Sequence, residues 1–385
     1  MRSVRAVLGA LAAVSLAFVG LGYVIARRVT APAGPRMFDL VVRGLDESGE
    51  TPMVILARTP KTEVVGQFNL ILESGDWVRL GPRVIDLGAG LVGRDVEQPD
   101  VPPSLVPGAR ASWSGIYFRT PADAGLHARD VEIRTPVGPA PAWVIVPQQQ
   151  ASGDWAIHIH GLGSPRAGTL RGVQVATDVG LTSLVVSFRN DGEGPQVGSG
   201  RSTLGALETD DVESAVQYAL DQGARRIILF GWSMGGAIAL QLASRSGVRK
   251  HLAGIVLESP VLDWIETIKA NCVHTGMPGW VGVLAVPWLD LPALSRFAGL
   301  AAPVVTGAFN QIAGPAYVAL PILLLHGTAD TSAPVDAAHE FARLNPAVEV
   351  SLFGADHTFT WNVDPNAWRA CVSAWLGVWV SPKHN

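Results

Sequence analysis

The first hydrophobic pattern in the chain is an uncharged run that extends from Ala6 to Ala26. Arginines stand on both sides of it: Arg2, Arg5, Arg27 and Arg28. As a helix, these 21 residues would extend roughly 31 Å at about 1.5 Å per residue, close to the hydrocarbon thickness of a bilayer. The pattern predicts a membrane-spanning anchor over residues 1–30.

A cleaved signal peptide is the alternative interpretation of this segment. Ala31-Pro32-Ala33 loosely resembles a cleavage site, and cleavage would give a secreted protein. The apolar run is longer than a usual signal core, and a proline separates the two small residues, so we favour the anchor. Because positive charge flanks both ends, the positive-inside rule favours only weakly an inside N-terminus and an extracytoplasmic domain.

Residues 36–113 alternate short apolar runs with Gly, Pro and Asp. The runs are 38–42, 53–57, 68–72, 77–80 and 84–87. They lack a helical period and predict strands of a small β-rich N-terminal region, followed by a Pro-rich linker at 98–107. Residues 88–93 spell GxGxxG, but a dinucleotide site needs a helix to follow, and no helical pattern does.

From about residue 114 to residue 385, strands alternate with amphipathic helices. Strands are predicted at 131–134, 142–146, 155–160, 184–188, 226–230, 254–257, 322–325 and 348–353. Residues 204–222 place apolar side chains at three- and four-residue steps with acidic ones between them, which predicts a surface helix. Such alternation indicates a largely parallel sheet whose functional site lies at the carboxyl ends of the strands.

Composition excludes several classes of partner. Hydrophobic residues make up 48% of the 385 positions and charged residues 16%, enough for a large core and an anchor. The net charge of −4 is spread without long blocks, so no nucleic-acid partner is expected. Cys272 and Cys371 lie outside any zinc-binding spacing. Export would permit one disulfide between them, but we favour two buried free thiols.

The candidate nucleophile is Ser233, in the sequence Gly231-Trp232-Ser233-Met234-Gly235-Gly236. With 42 glycines in the chain, GxSxG alone is weak evidence. Its setting is stronger, because the motif lies between a predicted strand and a helix at 235–244. A sharp strand-to-helix turn needs small residues around the serine, exposes its Oγ and directs the helix N-terminus towards an oxyanion.

A serine hydroxyl is a poor nucleophile, so a base must take its proton and an acid must orient that base. Asp330 follows the predicted strand at 322–325, and His357 follows the one at 348–353. Because Ser233, Asp330 and His357 arrive in this order, each after its own strand, we predict that they form a catalytic triad. Asp263 and Asp336 are weaker alternatives for the acid.

An oxyanion hole needs two backbone N–H donors. We expect Met234, directly after the nucleophile, and Leu162, in the glycine-containing turn at 160–163, to supply them. His158 and His160 share a face of one strand, but no third ligand has a fitting spacing, so we expect no metal and no cofactor. Residues 189–191 either shape the mouth of the pocket or cap a loop.

The motifs GWSMGG, HGTAD and GADH resemble those of the α/β-hydrolase superfamily over residues 114–385, especially bacterial membrane-anchored esterases related to acylaminoacyl-peptidase-like hydrolases. The resemblance implies a mostly parallel eight-stranded sheet flanked by helices, and hydrolysis of an ester, thioester or amide through an acyl-enzyme. In this fold an insertion at about 261–320 commonly bears a cap over the site. An apolar cap would favour a small-molecule or lipid-like acyl substrate, or an aromatic one, and plain packing is the alternative explanation of the tryptophans in this stretch.

Other functions stay open at this point. The same triad serves acyltransferases and peptidase-like amide hydrolases, although no region is long enough for the β-propeller of full-length oligopeptidases. A catalytically silent envelope protein that uses the fold for binding is an alternative of another class. The sequence makes no prediction about oligomeric state.

Overall fold

The computed structural model describes residues 2–98, 100–149, 151–312 and 320–380. It begins with α1 (Arg2–Val29), the helix that the uncharged run predicts. The segment Ala12–Val29 has a mean hydropathy of 1.5, so its length and composition are sufficient to cross a membrane. The apolar N-terminal helix is therefore confirmed as a structural element.

Six antiparallel strands follow and close into a barrel. They are β1 (Leu40–Asp46), β2 (Met53–Ala57), β3 (Phe68–Leu72), β4 (Trp77–Gly88), β5 (Leu91–Val96) and β6 (Arg110–Ser114). Their order around the barrel is β1-β2-β5-β4-β3-β6, and β6 pairs with β1. Closure leaves no exposed strand edge, and inward side chains form a separate aliphatic core. The predicted β-rich region is confirmed, and closure is a feature that the apolar runs did not predict.

Several strand assignments in this region are wrong. The runs at 77–80 and 84–87 belong to one strand, β4, because the Gly-Pro between them falls at an irregularity of the pairing with β5 rather than at a turn. β5 and β6 were not predicted, because a glycine and two charged residues interrupt the apolar pattern of β5 and serines interrupt that of β6. The GxGxxG run forms the β4–β5 hairpin, with positive φ at Ala89 (49°) and Gly90 (72°), and continues as a strand.

A buried arginine organises one end of the barrel. The Arg94 guanidinium donates hydrogen bonds to the carbonyl oxygens of Thr62, Val64, Gly66 and Gly81 at 2.7–3.1 Å. Burial lowers its pKa to about 10. Three of these carbonyls lie in the loop between β2 and β3 and the fourth lies in β4, so one side chain fixes the path of the loop that leads into β3.

The rest of the chain is built around one eight-stranded sheet. Its strands are β7 (Ala128–Thr135), β8 (Gly138–Ile145), β9 (Trp155–Ile159), β10 (Thr182–Val186), β11 (Ile227–Trp232), β12 (Leu252–Glu258), β13 (Ile322–Gly327) and β14 (Val348–Phe353). Their order is β14-β13-β12-β11-β9-β10-β8-β7. β9 to β14 are parallel, and β7 and β8 form an antiparallel hairpin at one edge. The predicted mostly parallel eight-stranded sheet is confirmed.

Helices cover both faces of the sheet, which explains why the central strands are buried throughout. The helices in this part of the chain, including those of the insertion between β12 and β13, are α2 (Leu170–Asp178), α3 (Glu208–Asp221), α4 (Met234–Ser244), α5 (Ser246–Arg249), α6 (Trp264–His274), α7 (Val286–Asp290), α8 (Pro292–Phe297), α9 (Val335–Leu344), α10 (Thr360–Val363) and α11 (Pro365–Val380). Side chains of α3, α4 and α9 contribute to the core on one face, and those of α2 and α11 to the other. Cys272 in α6 is buried, Cys371 in α11 is half-buried, and both are free thiols.

The helix predicted over residues 204–222 begins four residues later, at Glu208. The buried Glu208 carboxylate accepts hydrogen bonds from the Ser202 and Thr203 hydroxyls and from the Thr203 and Gly205 N–H groups. These bonds hold the preceding residues in a turn, with Leu204 at a φ of +56°. A periodicity argument does not detect such a turn, because its residues continue the apolar spacing of the helix.

The segment between β12 and β13 is the predicted insertion. We call its described part, residues 261–312, the cap; residues 313–319 lie outside the described residues. The cap contains α6, a 3₁₀ helix (Gly279–Ala285), α7, α8 and a short 3₁₀ helix (Thr306–Phe309). It packs against the C-terminal half of α1, a contact that no sequence pattern indicated.

Candidate active site

Ser233 lies at the turn between β11 and α4, where it has the dihedral angles φ 52° and ψ −116°. A non-glycine residue in this conformation is strained, and its surroundings must hold it in place. Neighbouring glycines make the turn possible: a Cβ on Gly231 would lie 2.5 Å from the Gly235 oxygen, and one on Gly235 would lie 2.1 Å from the Ile159 oxygen. The small residues of the motif are therefore required by close backbone contacts.

The three candidate triad residues form one chain of hydrogen bonds. His357 Nε2 lies 2.9 Å from Ser233 Oγ. His357 Nδ1 lies 2.9 and 3.0 Å from the two carboxylate oxygens of Asp330. Since a carboxylate only accepts, Nδ1 carries the proton and Nε2 is free to accept the serine proton. The structure brings together the three residues that the sequence selected.

The Asp330 carboxylate is buried and is held by several donors. Burial alone would raise its pKa, but the hydrogen bond and charge interaction with His357, the Ala333 N–H and the nearby His326 together hold the pKa below its ordinary value. The Ser332 and Ala333 N–H groups donate to Oδ1 at 2.9 and 2.7 Å. Asp330 is therefore kept ionised and immobile beside the imidazole.

The alternative acids have other contacts. Asp263 caps α6 by accepting from the Ile265 and Glu266 N–H groups, and it also accepts from Asn310. Asp336 is exposed in the first turn of α9. Among the described residues, the ring of His357 is hydrogen-bonded to Asp330 and Ser233 and to neither of these two aspartates. Asp356, which sequence reasoning passed over, accepts from the Thr331 N–H at 2.8 Å and thereby ties the histidine loop to the Asp330 loop.

The two residues predicted to donate to the oxyanion, Met234 and Leu162, both lie next to Ser233. Met234 is the first residue of α4, so its N–H is one of the helix's unpaired terminal donors. The turn that carries Leu162 passes directly over the serine: a Cβ on Gly161 would lie 3.0 Å from the Ser233 Cβ. Leu162 contacts the pocket on both sides of Ser233.

His158 and His160 have separate environments. His158 is fully buried, its Nε2 lies 3.1 Å from Ser183 Oγ, and burial lowers its pKa to about 3. His160 stacks on Phe188, and its Nε2 lies 3.0 Å from Asp191 Oδ2. Within the described ranges, no group of three or more His, Cys, Asp or Glu side chains is arranged to hold a metal ion.

Residues 189–191 organise loops rather than the pocket mouth. Arg189 pairs with Asp211, and Asn190 bonds to the backbone of Val197 and Arg201. Burial would raise the pKa of Asp191, but the interaction with His160 and the N–H groups of Gly194 and Phe188 hold it below its ordinary value. Asp191 in this way fixes the histidine that begins the oxyanion turn.

Behind the serine turn lies a buried charged pair that sequence reasoning missed. Arg171 of α2 lies 3.5 Å from Glu258 at the end of β12, and both side chains are buried. The Glu258 backbone oxygen accepts from the Ser233 N–H at 3.0 Å, and its carboxylate accepts from Trp232 and Trp368. Burial lowers the pKa of Arg171, and the Glu258 charge partly offsets this. Because the two residues lie far apart in the sequence, no local sequence pattern predicts that they pair.

Asn362 joins the barrel to the histidine loop. Its fully buried amide donates to the Gln67 and Gly115 carbonyl oxygens at 2.6 and 2.9 Å. Its Oδ1 accepts from Arg171 at 2.8 Å, and Arg171 also donates to the Thr358 oxygen, one residue after His357. The barrel is thus hydrogen-bonded to the loop that carries the candidate base.

The cleft around Ser233 and His357 has two lobes of different character. The barrel-side lobe, about 290 Å³, lies between the barrel and the oxyanion turn and is lined in part by Arg36, Trp113, Ser114, Ser164, Thr169 and Phe359. The helix-side lobe, about 420 Å³, lies beneath the cap and is lined in part by Ile25, Val29, Val261, Trp264, Ile268 and Met277. Polar groups are frequent in the first lobe, and hydrocarbon dominates the second.

Two family models match the chain. The model of the alpha/beta hydrolase family matches residues 156–370, more than half of the sequence. A domain of unknown function, DUF8805, matches residues 41–114, which covers the barrel strands. No curated protein sequence matches the chain.

Solved structures with the same fold include esterases. An esterase from Pyrococcus furiosus is 23% identical, with a TM-score of 0.52, and the alignment covers 68% of this chain and 95% of that one. A second crystal form of it gives the same identity and TM-score over 68% and 96% of the two chains. An esterase from Thermogutta terrifontis is 22% identical, with a TM-score of 0.45, over 66% and 100%. At 23% identity and a TM-score of 0.52, the likeness to the Pyrococcus furiosus structures shows the fold alone.

Proposed function

The chain belongs to the alpha/beta hydrolase family, and from this premise we propose that it is a serine hydrolase that cleaves a carboxylic ester, thioester or amide through an acyl-enzyme. The observation that carries the proposal is the continuous hydrogen-bonded chain from Ser233 Oγ through His357 to Asp330. An ester is the preferred substrate class, because a structure that shares the fold is that of an esterase from Pyrococcus furiosus.

In the proposed reaction, His357 Nε2 takes the Ser233 proton as Oγ attacks the substrate carbonyl carbon. The carbonyl oxygen becomes an oxyanion that accepts hydrogen bonds from the Met234 and Leu162 N–H groups. Asp330 stabilises the imidazolium and holds its orientation. His357 then protonates the leaving alcohol as the bond to it breaks. A water molecule, deprotonated by His357, then attacks the acyl carbon. The bond from this carbon to Ser233 Oγ breaks, His357 returns the proton to Oγ, and the acyl group leaves as a carboxylic acid.

We propose three functional units along the chain: an anchor (residues 1–30), a β-rich region (36–113) and a hydrolase domain (114–385). α1 would hold the protein in a membrane with the hydrolase domain on the extracytoplasmic side. The apolar segment Ala12–Val29 supports the anchor, whereas the arginines near both of its ends favour this orientation only weakly.

A fluorophosphonate probe tests the proposed chemistry, because it reacts only with an activated serine. We expect covalent labelling of the wild type, and none of Ser233→Ala. Turnover of p-nitrophenyl butyrate should fall by about 10⁴-fold or more in the same variant, as expected when a triad nucleophile is removed.

The matched control is Ser244→Ala, at the other end of α4, whose hydroxyl donates only to the Gln241 oxygen. This variant should be labelled like the wild type. Equal labelling of Ser233→Ala and wild type would contradict the nucleophile assignment. A folded wild type that neither reacts with the probe nor turns over the ester would favour the catalytically silent binding protein instead.

A further inference from the structure

The C-terminal half of α1 is built into the domain that it would anchor. Phe18 packs edge-on against Trp280 at a ring distance of 5.8 Å, and Tyr23 lies 5.0 Å from the Trp288 ring. The Trp288 Nε1 donates to the Val19 oxygen at 3.1 Å. These contacts place three turns of the helix directly on the cap.

Close backbone approach indicates that this contact is specific. A Cβ on Gly22 would lie only 2.1 Å from the Leu284 carbonyl oxygen, so no larger residue fits there. At the end of the helix, the Arg27 side chain donates to the Ala298 oxygen, and the Arg27 oxygen accepts from Arg201. The helix is therefore held by polar bonds as well as by packing.

The same three turns reach the active site. Ile25 and Val29 line the helix-side lobe together with Ser233 and His357, and Arg28 lies exposed at its rim. The opposite wall is formed by Trp264, Ile268 and Met277 of the cap. A hydrocarbon group on a carbonyl bound at Ser233 would thus lie between the cap and α1.

The length of α1 decides how close the helix-side lobe must lie to the membrane. Of the uncharged run Ala6–Ala26, residues 18–26 belong to the part packed on the cap, which leaves residues 6–17. These 12 residues extend about 18 Å, whereas the hydrocarbon core is about 30 Å thick. Spanning therefore requires the packed turns and the neighbouring cap surface to enter the bilayer.

The cap surface beside α1 has the composition that such contact needs. Trp280 is 55% exposed and Phe297 is 71% exposed, and both contact α1. Val283 is also exposed within the same 3₁₀ helix as Trp280. Tryptophan is favoured at the membrane interface, where its ring and its N–H meet different environments.

We propose that the last three turns of α1 form one wall of the acyl-binding lobe, and that the enzyme takes its substrate, an ester with a long apolar acyl chain, from the bilayer in which α1 is anchored. This inference rests on the proposed ester hydrolysis. It assigns a substrate-binding role to a helix whose sequence indicates only an anchor.

Variants of Val29 test whether α1 forms a wall of the helix-side lobe. We compare full-length Val29→Trp, which fills the lobe, with Val29→Thr, which keeps the shape and adds a hydroxyl, in phosphatidylcholine nanodiscs. The measured quantity is the ratio of kcat/KM for p-nitrophenyl decanoate to that for the acetate. We expect Val29→Trp to lower this ratio at least tenfold, and Val29→Thr about fivefold, because a hydroxyl against hydrocarbon lacks a partner.

Val24→Trp is the matched control, since Val24 is 57% exposed on the same helix and does not line the lobe. It should keep the ratio within twofold of wild type, and thermal midpoints report whether each variant is folded. If both Val29 variants keep the wild-type ratio, α1 is not part of the acyl site. Should Val29→Trp fail to fold, the Val29→Thr result decides alone.

A binding measurement separates this inference from the proposed chemistry. On a Ser233→Ala background, calorimetric titration with octanoate should give a Kd about fivefold higher when Val29→Thr is added. An unchanged Kd would overturn the wall assignment whatever the catalytic result. Conversely, a wild type without turnover or labelling would overturn the proposed hydrolysis and leave the binding result standing.

The bilayer source is tested with dioctanoylglycerol in the same nanodiscs. At constant bulk concentration, the rate should rise with the mole fraction of this ester in the lipid, because the lobe fills from the membrane. A rate that follows bulk concentration alone would show that substrate arrives from water.

Discussion

The two lobes of the cleft meet at the same serine but are built by different parts of the chain. The barrel-side lobe is bordered by Trp113 and Ser114 of β6, and hydrogen bonds through Asn362 fix the barrel there. The helix-side lobe is bordered by α1 and the cap, which meet mainly through apolar and aromatic contacts. Two accessory elements therefore shape the cleft, one through polar groups and one through hydrocarbon.

This difference suggests a division of the substrate. Hydrogen bonds fix direction and distance, so a polar lobe can recognise the position of a particular group, such as a leaving alcohol. Apolar contact is non-directional and grows with buried area, so the helix-side lobe can accept acyl chains of varied shape. Specificity would then come from the barrel, and affinity from the helix and cap.

The largest expected effect comes from removing the machinery that both lobes share. Asp330→Asn should lower kcat by about 10³- to 10⁴-fold, because the imidazole loses its orienting carboxylate. The loss of kcat should be equal for acetate and decanoate esters. It should also be equal for esters of neutral and of anionic alcohols. A loss confined to one substrate series would show that the lobes do not serve one triad, and steady-state kinetics on both series would detect it.

The same variant tests the lowered pKa of Asp330 through the pH dependence of the free energy of unfolding. Because the folded structure lowers the pKa of Asp330 from its ordinary value of 3.8, its ionised form stabilises the fold above that pH, and this contribution is lost as the pH falls through the folded-state pKa. Urea unfolding should therefore show a stability advantage of wild type over Asp330→Asn at pH 7 that shrinks below about pH 4. An advantage that grows with acid would contradict the direction of the shift.

A smaller effect should follow from separating the barrel from the histidine loop. Asn362→Leu leaves two buried carbonyl oxygens and one guanidinium N–H without partners, so the free energy of unfolding should fall by about 3 kcal/mol. The matched control is Asn345→Leu, because the buried Asn345 donates one such bond, to the Phe341 oxygen; we expect about 1 kcal/mol there. If urea unfolding gives equal losses for the two variants, the barrel junction contributes no more to the free energy of unfolding than a single buried hydrogen bond.

The smallest effect concerns Arg36, which lines the barrel-side lobe together with the Glu258-paired Arg171 and whose pKa is lowered by partial burial. Arg36→Gln should reduce kcat/KM for 3-carboxyphenyl butyrate, relative to phenyl butyrate, by about fivefold, the scale of a partly screened ion pair. Arg43→Gln, an exposed arginine of β1 that does not line either lobe, is the control and should leave the ratio unchanged. An unchanged ratio in Arg36→Gln would show that Arg36 does not recognise the charge of the alcohol in the barrel-side lobe.

Much of the hydrolase domain was predictable, because its determinants are local. β9 to β14 are apolar runs that end in glycine or polar residues, and each candidate triad residue follows its own strand within a few positions. The boundary errors have local causes that periodicity does not reveal. At the start of α3, for example, Glu208 holds a turn through its carboxylate.

Groups that act from a distance were not predictable. Asn362 touches residues 247 and 295 positions earlier in the chain, and Asp356, Arg171 and Glu258 position the triad loops without any recurring spacing. Their side chains acquire a role only when loops from separate strands come into contact. A single sequence does not predict which loops make such contacts.

The strands β9 to β14, the small-residue turn at Ser233 and the apolar length of α1 could be predicted from the sequence, because each follows from propensities and sterics within about twenty residues. Three features appear only in the folded molecule: β1–β6 close into a barrel, Asn362 and Arg171 join this barrel to the histidine loop, and α1 ends against the active site. These features depend on which buried surfaces find each other, and hydrophobic burial is non-directional until shape and hydrogen bonds select a partner.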